Sequence, residues 1–463
     1  MKKLLMGNEA IAYGAIQAGV NLVSGYPGTP STEVLETIAK LNPGSVYVEW
    51  SVNEKAAMEV AAGASYAGGR ALVTMKQMGL NVAADPLMCL SYVGVGGGLV
   101  VLVADDPGPI SSQTEQDTRH FAKFANLPIL DPASPEEAYE MIQYAFQLSE
   151  AWQLPVILRP TTRVCHGCAT LTLPDEFPAP HPLTGFTKDP KWVIFPSLSY
   201  RNHLRLEAIQ TEIGQELGRS PFNKLTGQGR HGVVASGISY TYAKEVIDDF
   251  NMPVQLLKIG TPYPTPEELL CQFLQSVDEV LVIEELDSVL EETLLQLCGK
   301  YCIHVKIFGK RTGTFPAAGE YTYEIVGKAL ASFLGIHLPE RQQVSIPPSL
   351  PGRPPGLCAG CPHRASFYAV KKALKGQKAV FTGDIGCYTL GNGKPLDMTD
   401  TCLCMGAGIT VAQGLARMEP DVAHIAFIGD STFFHTGIPG LINSVYNGTK
   451  ITIAVLDNST TAM

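Results

Sequence analysis

Two apolar runs that each end in a polar dipeptide constrain the fold of this 463-residue chain most strongly. Residues 424–428 have the pattern of a buried parallel strand and lead directly into Gly429-Asp430. A second apolar run, residues 451–456, ends in Asp457-Asn458. Asn458 follows Asp430 by 28 positions, which leaves room for one helix between adjacent parallel strands. The spacing therefore predicts that both side chains lie at the carboxyl edge of one parallel sheet.

The oxygen atoms at these two strand ends are ligands of the kind that Mg²⁺ prefers. The candidates are the Asp430 carboxylate, the Asn458 amide oxygen and the Thr460 backbone carbonyl, with Gly429 and Ser431 beside the first of them. Phosphate oxygens and water commonly complete such a coordination shell, so the pattern indicates a magnesium-held diphosphate, as in thiamine diphosphate enzymes. Either dipeptide alone is also an ordinary strand end, but the pair in this order favours the cofactor site.

The composition is that of a globular protein that does not bind nucleic acid. Hydrophobic residues make up 45% of the chain, and its length suits about three domains. The formal net charge is −10 and Lys and Arg are not clustered, which argues against binding to a phosphate backbone. Because no run reaches membrane-spanning length and no export signal is recognisable, we expect no membrane partner and a cytoplasmic location. The 11 cysteines are then expected to be thiols, metal ligands or redox groups.

Alternating helix-like and strand-like segments predict an α/β fold made of several doubly wound, mostly parallel sheets. The first such region covers residues 1–175. Residues 176–230 begin with a Pro-rich passage and are predicted to be a linker and connecting segment. A second α/β region follows over residues 231–345, and a further Pro-rich boundary precedes the third region, residues 356–463. A doubly wound sheet should continue beyond the strand that leads into Asn458, so the third domain is expected to be C-terminally incomplete.

Glu54 is the candidate for the second half of a thiamine diphosphate site. It follows a predicted strand, residues 46–49, and stands in the first turn of a predicted helix, residues 53–67. The aminopyrimidine of this cofactor needs a carboxyl group at its ring nitrogen N1′, and a carboxyl in a dry cleft can share that proton near neutral pH. The alternative is an ordinary acidic residue at a helix N terminus, where the macrodipole stabilises it.

Several motifs, in this order along the chain, resemble the large (alpha) subunit of indolepyruvate:ferredoxin oxidoreductase. They are Gly25-Tyr26-Pro27-Gly28-Thr29-Pro30-Ser31-Thr32, Asn53-Glu54, Cys358-Ala359-Gly360-Cys361-Pro362-His363-Arg364, Gly383-Asp384-Ile385-Gly386-Cys387-Tyr388 and Gly429-Asp430-Ser431. The resemblance implies that residues 1–175 bind the aminopyrimidine, 231–345 form a transketolase C-terminal-like domain and 356–463 bind diphosphate and Mg²⁺. It also implies a C-terminal ferredoxin-like domain with [4Fe-4S] clusters, whose cysteine-rich runs are not found here.

The resemblance adds candidate residues for a cluster and for the substrate. Cys358, Cys361 and Cys387 match cysteines that hold a [4Fe-4S] cluster in related 2-oxoacid oxidoreductases, although such a cluster generally needs four thiolates and buried unligated thiols are the alternative. Thr29 lies in the loop that contacts the 2-oxo acid in related enzymes. Arg159 is a further candidate for the substrate carboxylate.

The activity implied is the oxidative decarboxylation of an aryl 2-oxo acid, with thiamine diphosphate and Mg²⁺ as cofactors and coenzyme A as co-substrate. The resemblance further implies ferredoxin as electron acceptor and a smaller beta subunit in a heterodimer or heterotetramer. Two alternatives remain open on the sequence. One is a non-oxidative thiamine-dependent 2-oxo acid decarboxylase, and the other is a non-catalytic assembly subunit.

Overall fold

The computed structural model describes residues 1–42, 44–339 and 350–461. The chain divides into two compact units, unit 1 (residues 1–340) and unit 2 (residues 341–463). Within the described ranges, no helix combines the length and the apolar character needed to cross a membrane. The prediction of several mostly parallel α/β sheets is confirmed.

The strands of unit 1 are β1 (Lys2–Met6), β2 (Leu22–Gly25), β3 (Tyr47–Trp50), β4 (Ala71–Lys76), β5 (Leu99–Ala104), β6 (Ile129–Leu130), β7 (Val156–Leu158), β8 (Cys168–Thr172), β9 (Lys224–Gly227), β10 (His231–Ala235), β11 (Val254–Lys258), β12 (Glu279–Ile283) and β13 (Lys306–Phe308). The helices of unit 1 are α1 (Gly7–Gln17), α2 (Thr32–Leu41), α3 (Glu54–Tyr66), α4 (Gln77–Val82), α5 (Ala84–Val93), α6 (Thr118–Ala125), α7 (Pro135–Trp152), α8 (Thr162–His166), α9 (Pro196–Gly218), α10 (Gly237–Asp249), α11 (Glu267–Ser276), α12 (Val289–Tyr301) and α13 (Tyr323–Leu334).

A six-stranded parallel sheet forms the centre of the first region, in the order β3-β2-β4-β5-β7-β6. Strand β5 reads LVVLVA and every residue of it is buried, as expected for a parallel strand that is covered on both faces. The chain passes from β2 to β3 on one side and then returns to place β4 on the other side of β2. This reversal is the topological switch point at which open α/β sheets bind ligands, outside the carboxyl ends of the strands.

A second sheet has the order β13-β12-β10-β11-β9, in which only the edge strand β9 runs antiparallel to its neighbour. Separate apolar clusters cover its two faces. Strands β1 and β8 form an antiparallel pair that joins the two ends of the first α/β region.

Helix α9 lies inside the segment that was predicted to be a linker and connecting segment, residues 176–230. Its residues Leu206, Ile213 and Leu217 are buried and belong to the same apolar core as the six-stranded sheet. The spacing of these residues follows one face of a helix. The prolines before residue 196 are typical of a linker, and for this reason the helix that follows them was not predicted.

Unit 2 contains a parallel sheet in the order β14-β15-β16, with β15 at its centre. Its elements are α14 (Pro362–Ala373), β14 (Ala379–Thr382), α15 (Ala407–Met418), β15 (Ala423–Gly429), α16 (Asp430–Thr432), α17 (Ile438–Tyr446) and β16 (Thr452–Leu456). A π-helical turn, Phe433–Gly437, joins α16 to α17. The crossover between β15 and β16 is therefore helical, as the spacing of Asp430 and Asn458 predicted.

A pair of leucines in α9 tests whether this helix is part of the core. Leu206 is 1% exposed and Leu204 is 56% exposed. We expect Leu206→Ala to lower the free energy of unfolding of unit 1 by about 2–5 kcal/mol, because it removes buried methyl groups and leaves a cavity. Leu204→Ala should change it by less than about 0.5 kcal/mol. Urea unfolding followed by fluorescence measures both, and equal effects would contradict the packing described here.

Candidate functional site

Glu54 is the first residue of α3, where Asn53 caps the helix by accepting a hydrogen bond from the Ala56 backbone N–H at 2.8 Å. Its side chain is buried, with 6% of the residue exposed. A Cβ atom added at Gly79 in α4 would lie 2.5 Å from Oε1 of Glu54, so the carboxylate packs against the backbone of that helix. This arrangement places a nearly dry carboxyl group next to the switch point of the sheet.

The loop after β2 carries Thr29, the predicted substrate residue, which is half-buried. Hydrogen bonds within the loop fix its shape: the Gly28 backbone N–H donates to Thr32 Oγ1 at 2.9 Å, and Ser31 Oγ donates to the Gly28 carbonyl at 2.9 Å. Asn8 Nδ2 donates to the Pro30 carbonyl at 2.6 Å. The loop is therefore held rigidly at the carboxyl end of β2.

Arg159, the other predicted substrate residue, follows β7 and is 2% exposed. Its Nε donates to Asp105 at 2.7 Å and its Nη1 donates to Asp131 at 3.2 Å. The remaining nitrogen, Nη2, lies 3.9 Å from Asp117 and has no hydrogen-bond partner in the part of the chain that the structure describes. The contacts of Arg159 are thus to carboxylates of this chain, and its contact with a substrate remains a prediction.

Arg119 extends this buried ionic network to the second sheet of unit 1. Its guanidinium group contacts Asp117 at 2.6 Å and Glu284, directly after β12, at 2.7 Å. Burial opposes ionisation of Asp117, but Arg119 and Arg159 outweigh this effect and hold the pKa of that carboxyl below its usual range. The network therefore connects residues of the six-stranded sheet region with Glu284 of the five-stranded sheet region.

Asp430 begins α16 at the carboxyl end of β15 and is half-buried. Gly429 pairs in register with Leu456, so Asp430 and Asp457 both follow directly after aligned strand ends. Ser431 Oγ accepts a hydrogen bond of 2.8 Å from Thr461 Oγ1. The structure thus brings the loop after β16 to the residue next to Asp430, and the shared magnesium site at this edge remains a prediction.

Asn458 and Thr460 lie in that loop and are exposed. The Thr460 backbone N–H donates to Oδ1 of Asn458 at 3.3 Å, and the Ser459 backbone N–H donates to Oδ1 of Asp457 at 2.9 Å. The set formed by Asp430, Asn458 and the Thr460 carbonyl consists of hard oxygen donors, which suits Mg²⁺.

His363 lies at the start of α14 and is 5% exposed, within the electrostatic influence of Asp430. Both of its ring nitrogens lack a hydrogen-bond partner among the residues that the structure describes. Its ring meets the Tyr388 ring edge to face, with 5.9 Å between the centroids. A buried polar group without a partner is costly, so His363 fits a site that is completed by a polar cofactor.

Cys358 and Cys361 are joined by a turn in which the Cys361 backbone N–H donates to the Cys358 carbonyl at 3.2 Å. Burial raises the pKa of the Cys387 thiol, and Cys361 and Cys358 raise it further, so the three residues lie in one neighbourhood. In the described ranges, no group of three His, Cys, Asp or Glu side chains is arranged to hold a metal ion. The iron-sulfur role of these cysteines stays a prediction.

Asp384 is a buried carboxylate in unit 2 whose individual role the sequence did not indicate. It accepts hydrogen bonds from the backbone N–H groups of Ile385 at 2.7 Å, Gly406 at 2.9 Å and Gly408 at 3.2 Å. Burial raises its pKa to about 6, against the opposing effect of these hydrogen bonds and of the His435 charge. Asp384 therefore shapes the turn after β14 and the start of α15.

Lys76, the last residue of β4, was also missed. Its side chain lies beside the loop after β2, because a Cβ atom added at Gly28 would come 3.2 Å from Cγ of Lys76. One feature of the sequence could have indicated this residue. Lys76 is a charged residue directly after a mostly apolar run, residues 71–75, that has the pattern of a buried strand.

Two family profiles match this chain, one in unit 1 and one in unit 2. The profile described as "Pyruvate flavodoxin/ferredoxin oxidoreductase, thiamine diP-bdg" matches residues 13–206. The profile described as "Thiamine pyrophosphate enzyme, C-terminal TPP binding domain" matches residues 384–463. A solved structure of 2-oxoglutarate:ferredoxin oxidoreductase from Magnetococcus marinus shares the fold, with a TM-score of 0.58 at 17% identity, covering 72% of this chain and 65% of that one.

Curated relatives match along the whole chain. Indolepyruvate oxidoreductase subunit IorA of Pyrococcus horikoshii is 42% identical over 100% of this chain and 75% of its own length. The protein of the same name from Methanothermobacter thermautotrophicus is 42% identical over 100% of this chain and 76% of its own length. The 2-oxoglutarate synthase subunit KorA of Archaeoglobus fulgidus is 27% identical over 66% of this chain and 93% of its own length. The chain thus spans about three quarters of the IorA relatives.

The fold and the two thiamine-binding profiles define a thiamine-diphosphate-dependent 2-oxoacid:ferredoxin oxidoreductase. Within that class, the chain belongs to the family of indolepyruvate oxidoreductase subunit IorA.

Titration of Asp384 should make the stability of unit 2 depend on pH. Its folded pKa of about 6 lies above its ordinary value of 3.8, so the folded state favours the protonated form. The stabilisation relative to Asp384→Asn is then present below pH 4 and is lost as the pH rises through 6, by up to about 3 kcal/mol. Urea unfolding of both proteins at pH 4.5 and pH 7 measures this difference. A difference that is the same at both values would contradict the burial of an uncharged Asp384.

Proposed function

We propose that this chain is the thiamine-binding subunit of an enzyme that oxidatively decarboxylates aryl pyruvates such as indolepyruvate. In the balanced reaction, an aryl pyruvate, coenzyme A and two oxidised ferredoxins give an aryl-acetyl-CoA, carbon dioxide, two reduced ferredoxins and a proton. The name of the curated relatives supports indolepyruvate as the substrate class. The observation that carries the cofactor assignment is the buried Glu54 at the start of α3, beside the switch point.

Thiamine diphosphate, when bound, supplies an electron sink that permits loss of carbon dioxide from a 2-oxo acid. Glu54 would hold a proton in a hydrogen bond to N1′ of the aminopyrimidine, and its 6% exposure would keep water away from that bond. Asp430, Asn458 and the Thr460 carbonyl would bind Mg²⁺, with Gly429 and Ser431 beside the diphosphate.

The proposal extends to the electron route and the assembly. Cys358, Cys361 and Cys387 would hold a [4Fe-4S] cluster, and further clusters would lie in a ferredoxin-like domain. A smaller beta subunit would complete a heterodimer or heterotetramer that reduces ferredoxin in the cytoplasm. Thr29 would contact the 2-oxo acid, and Arg159 could contact it only through Nη2, because its other guanidinium nitrogens are bonded to Asp105 and Asp131.

Binding of the cofactor tests the diphosphate half of this proposal. We expect the chain to bind thiamine diphosphate in a Mg²⁺-dependent manner and Asp430→Asn to weaken binding by at least about tenfold, because a charged magnesium ligand is lost. Asp421→Asn, which alters an exposed carboxylate elsewhere in unit 2, is the matched control. Titration calorimetry with and without EDTA makes the measurement. Absence of binding by the holoenzyme would favour a non-catalytic assembly subunit.

Turnover tests the pyrimidine half and the reaction type. In the holoenzyme with its partner subunit, Glu54→Gln should lower indolepyruvate-dependent reduction of ferredoxin by about 10²–10⁴-fold. The reason is that the glutamine amide cannot exchange a proton with N1′ as the carboxyl group does. Glu59→Gln, an exposed substitution on the same helix, should leave the rate unchanged. Formation of an aldehyde without reduction of ferredoxin would instead establish a non-oxidative decarboxylase.

A further inference from the structure

Lys76 occupies the position in unit 1 where the fold favours a ligand. It ends β4, and β4 and β2 are the two strands that flank the switch point. Its aliphatic stem passes Gly28, where an added Cβ would lie 3.2 Å from Cγ and 3.4 Å from Cδ of Lys76. Because Gly28 has no side chain, the lysine stem reaches along the loop that also carries Thr29.

In the described part of the chain, the structure shows no hydrogen bond or ion pair of the Lys76 ammonium group with a carboxylate. The carboxylates that act on its charge from a greater distance are Asp106 and Glu54. Asp106 is already occupied, since it accepts hydrogen bonds from the Ser111 backbone N–H at 2.8 Å and from Thr162 Oγ1 at 2.7 Å. The side chain is half-buried, and burial lowers the pKa of Lys76 against the opposing charges of Asp106 and Glu54.

Neighbouring cations are engaged by carboxylates of the chain itself. Lys55, next to Glu54, contacts Glu59 and lies 3.4 Å from Asp85. Arg159 is bonded to Asp105 and Asp131, as described above. A bound anion at the carboxyl ends of β2 and β4 would therefore find the free positive charge on Lys76. The attraction between a partly desolvated ammonium group and a bound anion is stronger than in water, because less water screens the two charges.

We propose that Lys76 binds the carboxylate of the 2-oxo acid substrate and thereby positions its keto carbon beside the loop that carries Thr29. This assignment rests on the proposed function, because the loop and Glu54 identify where the substrate reacts. Lys76 does not bond to Glu54 but shares its electrostatic environment, so a substrate carboxylate would offset the charge that Lys76 places near the catalytic carboxyl. The residue thus favours 2-oxo acids over uncharged carbonyl compounds.

Kinetics of the holoenzyme with its partner subunit test this role. We expect Lys76→Met, which keeps the stem and removes the charge, to raise the KM for indolepyruvate by about 10–100-fold with a smaller change in kcat. Lys76→Arg should stay within a few-fold of the wild type, because the charge is retained. Lys55→Met is the matched control for loss of a nearby lysine and should leave KM unchanged. Calorimetry should show the same thiamine diphosphate affinity in all four proteins, which also checks that each is folded.

A binding measurement separates charge recognition from a structural effect. Indole-3-propionate should inhibit the wild type more strongly than indole-3-propionamide, and Lys76→Met should abolish that preference. An unchanged KM and an unchanged preference in Lys76→Met would overturn the assignment, as would a loss of thiamine diphosphate binding in that variant. A wild-type holoenzyme that turns over no 2-oxo acid would overturn the proposed function, and this assignment with it. An active wild type with an unaltered Lys76→Met overturns the Lys76 assignment alone.

Discussion

The buried ionic network around Arg119 and Arg159 is the constraint on which the architecture of unit 1 depends. Both guanidinium groups are almost completely buried, and they hold together Asp105 and Asp117 from the first sheet region with Glu284 from the second. Removing charges from water is costly, so such a network is stable only when each charge finds a partner. The arginines therefore link the six-stranded and five-stranded sheet regions, because separating them would leave buried charges without partners.

The same network shapes the edge at which the ligand site lies. Asp105 and Arg159 follow directly after β5 and β7, and Lys76 is the last residue of β4 at the same carboxyl edge. Asp105 and Arg159 form an ion pair, so their charges are already neutralised within the protein. Lys76 has no close partner among the described residues, so at its position the edge can accept an anion. The same edge of the parallel sheet thus contributes both to the packing of unit 1 and to the proposed anion site.

The sequence predicted local features well and long-range pairings poorly. Strand β15 was predicted to within one residue at each end because continuous apolar runs have one favourable environment, the interior of a parallel sheet. Glu54 and Asp430 were chosen as candidates because strand ends and helix starts mark ligand-binding edges, and their roles stay predictions. The ion pair of Arg159 with Asp131 could not be predicted, because the two residues lie 28 positions apart and no local pattern shows that pairing. Helix α9 was missed for a similar reason, since its apolar face becomes recognisable as core only against the sheet that it covers.

The antiparallel pair of β1 and β8 has a consequence for how the chain folds as it is synthesised. Lys2 pairs with Thr172, which lies 170 positions later in the chain, and these two strands complete the first α/β region. Contacts so distant in sequence form late, because the loop between them must be ordered or closed at an entropic cost. On the ribosome, β1 has no strand to pair with until β8 has emerged. Strand β1 therefore stays without its partner strand while the whole six-stranded sheet is synthesised. The β1–β8 pair can form only after the last strand of that sheet has been made.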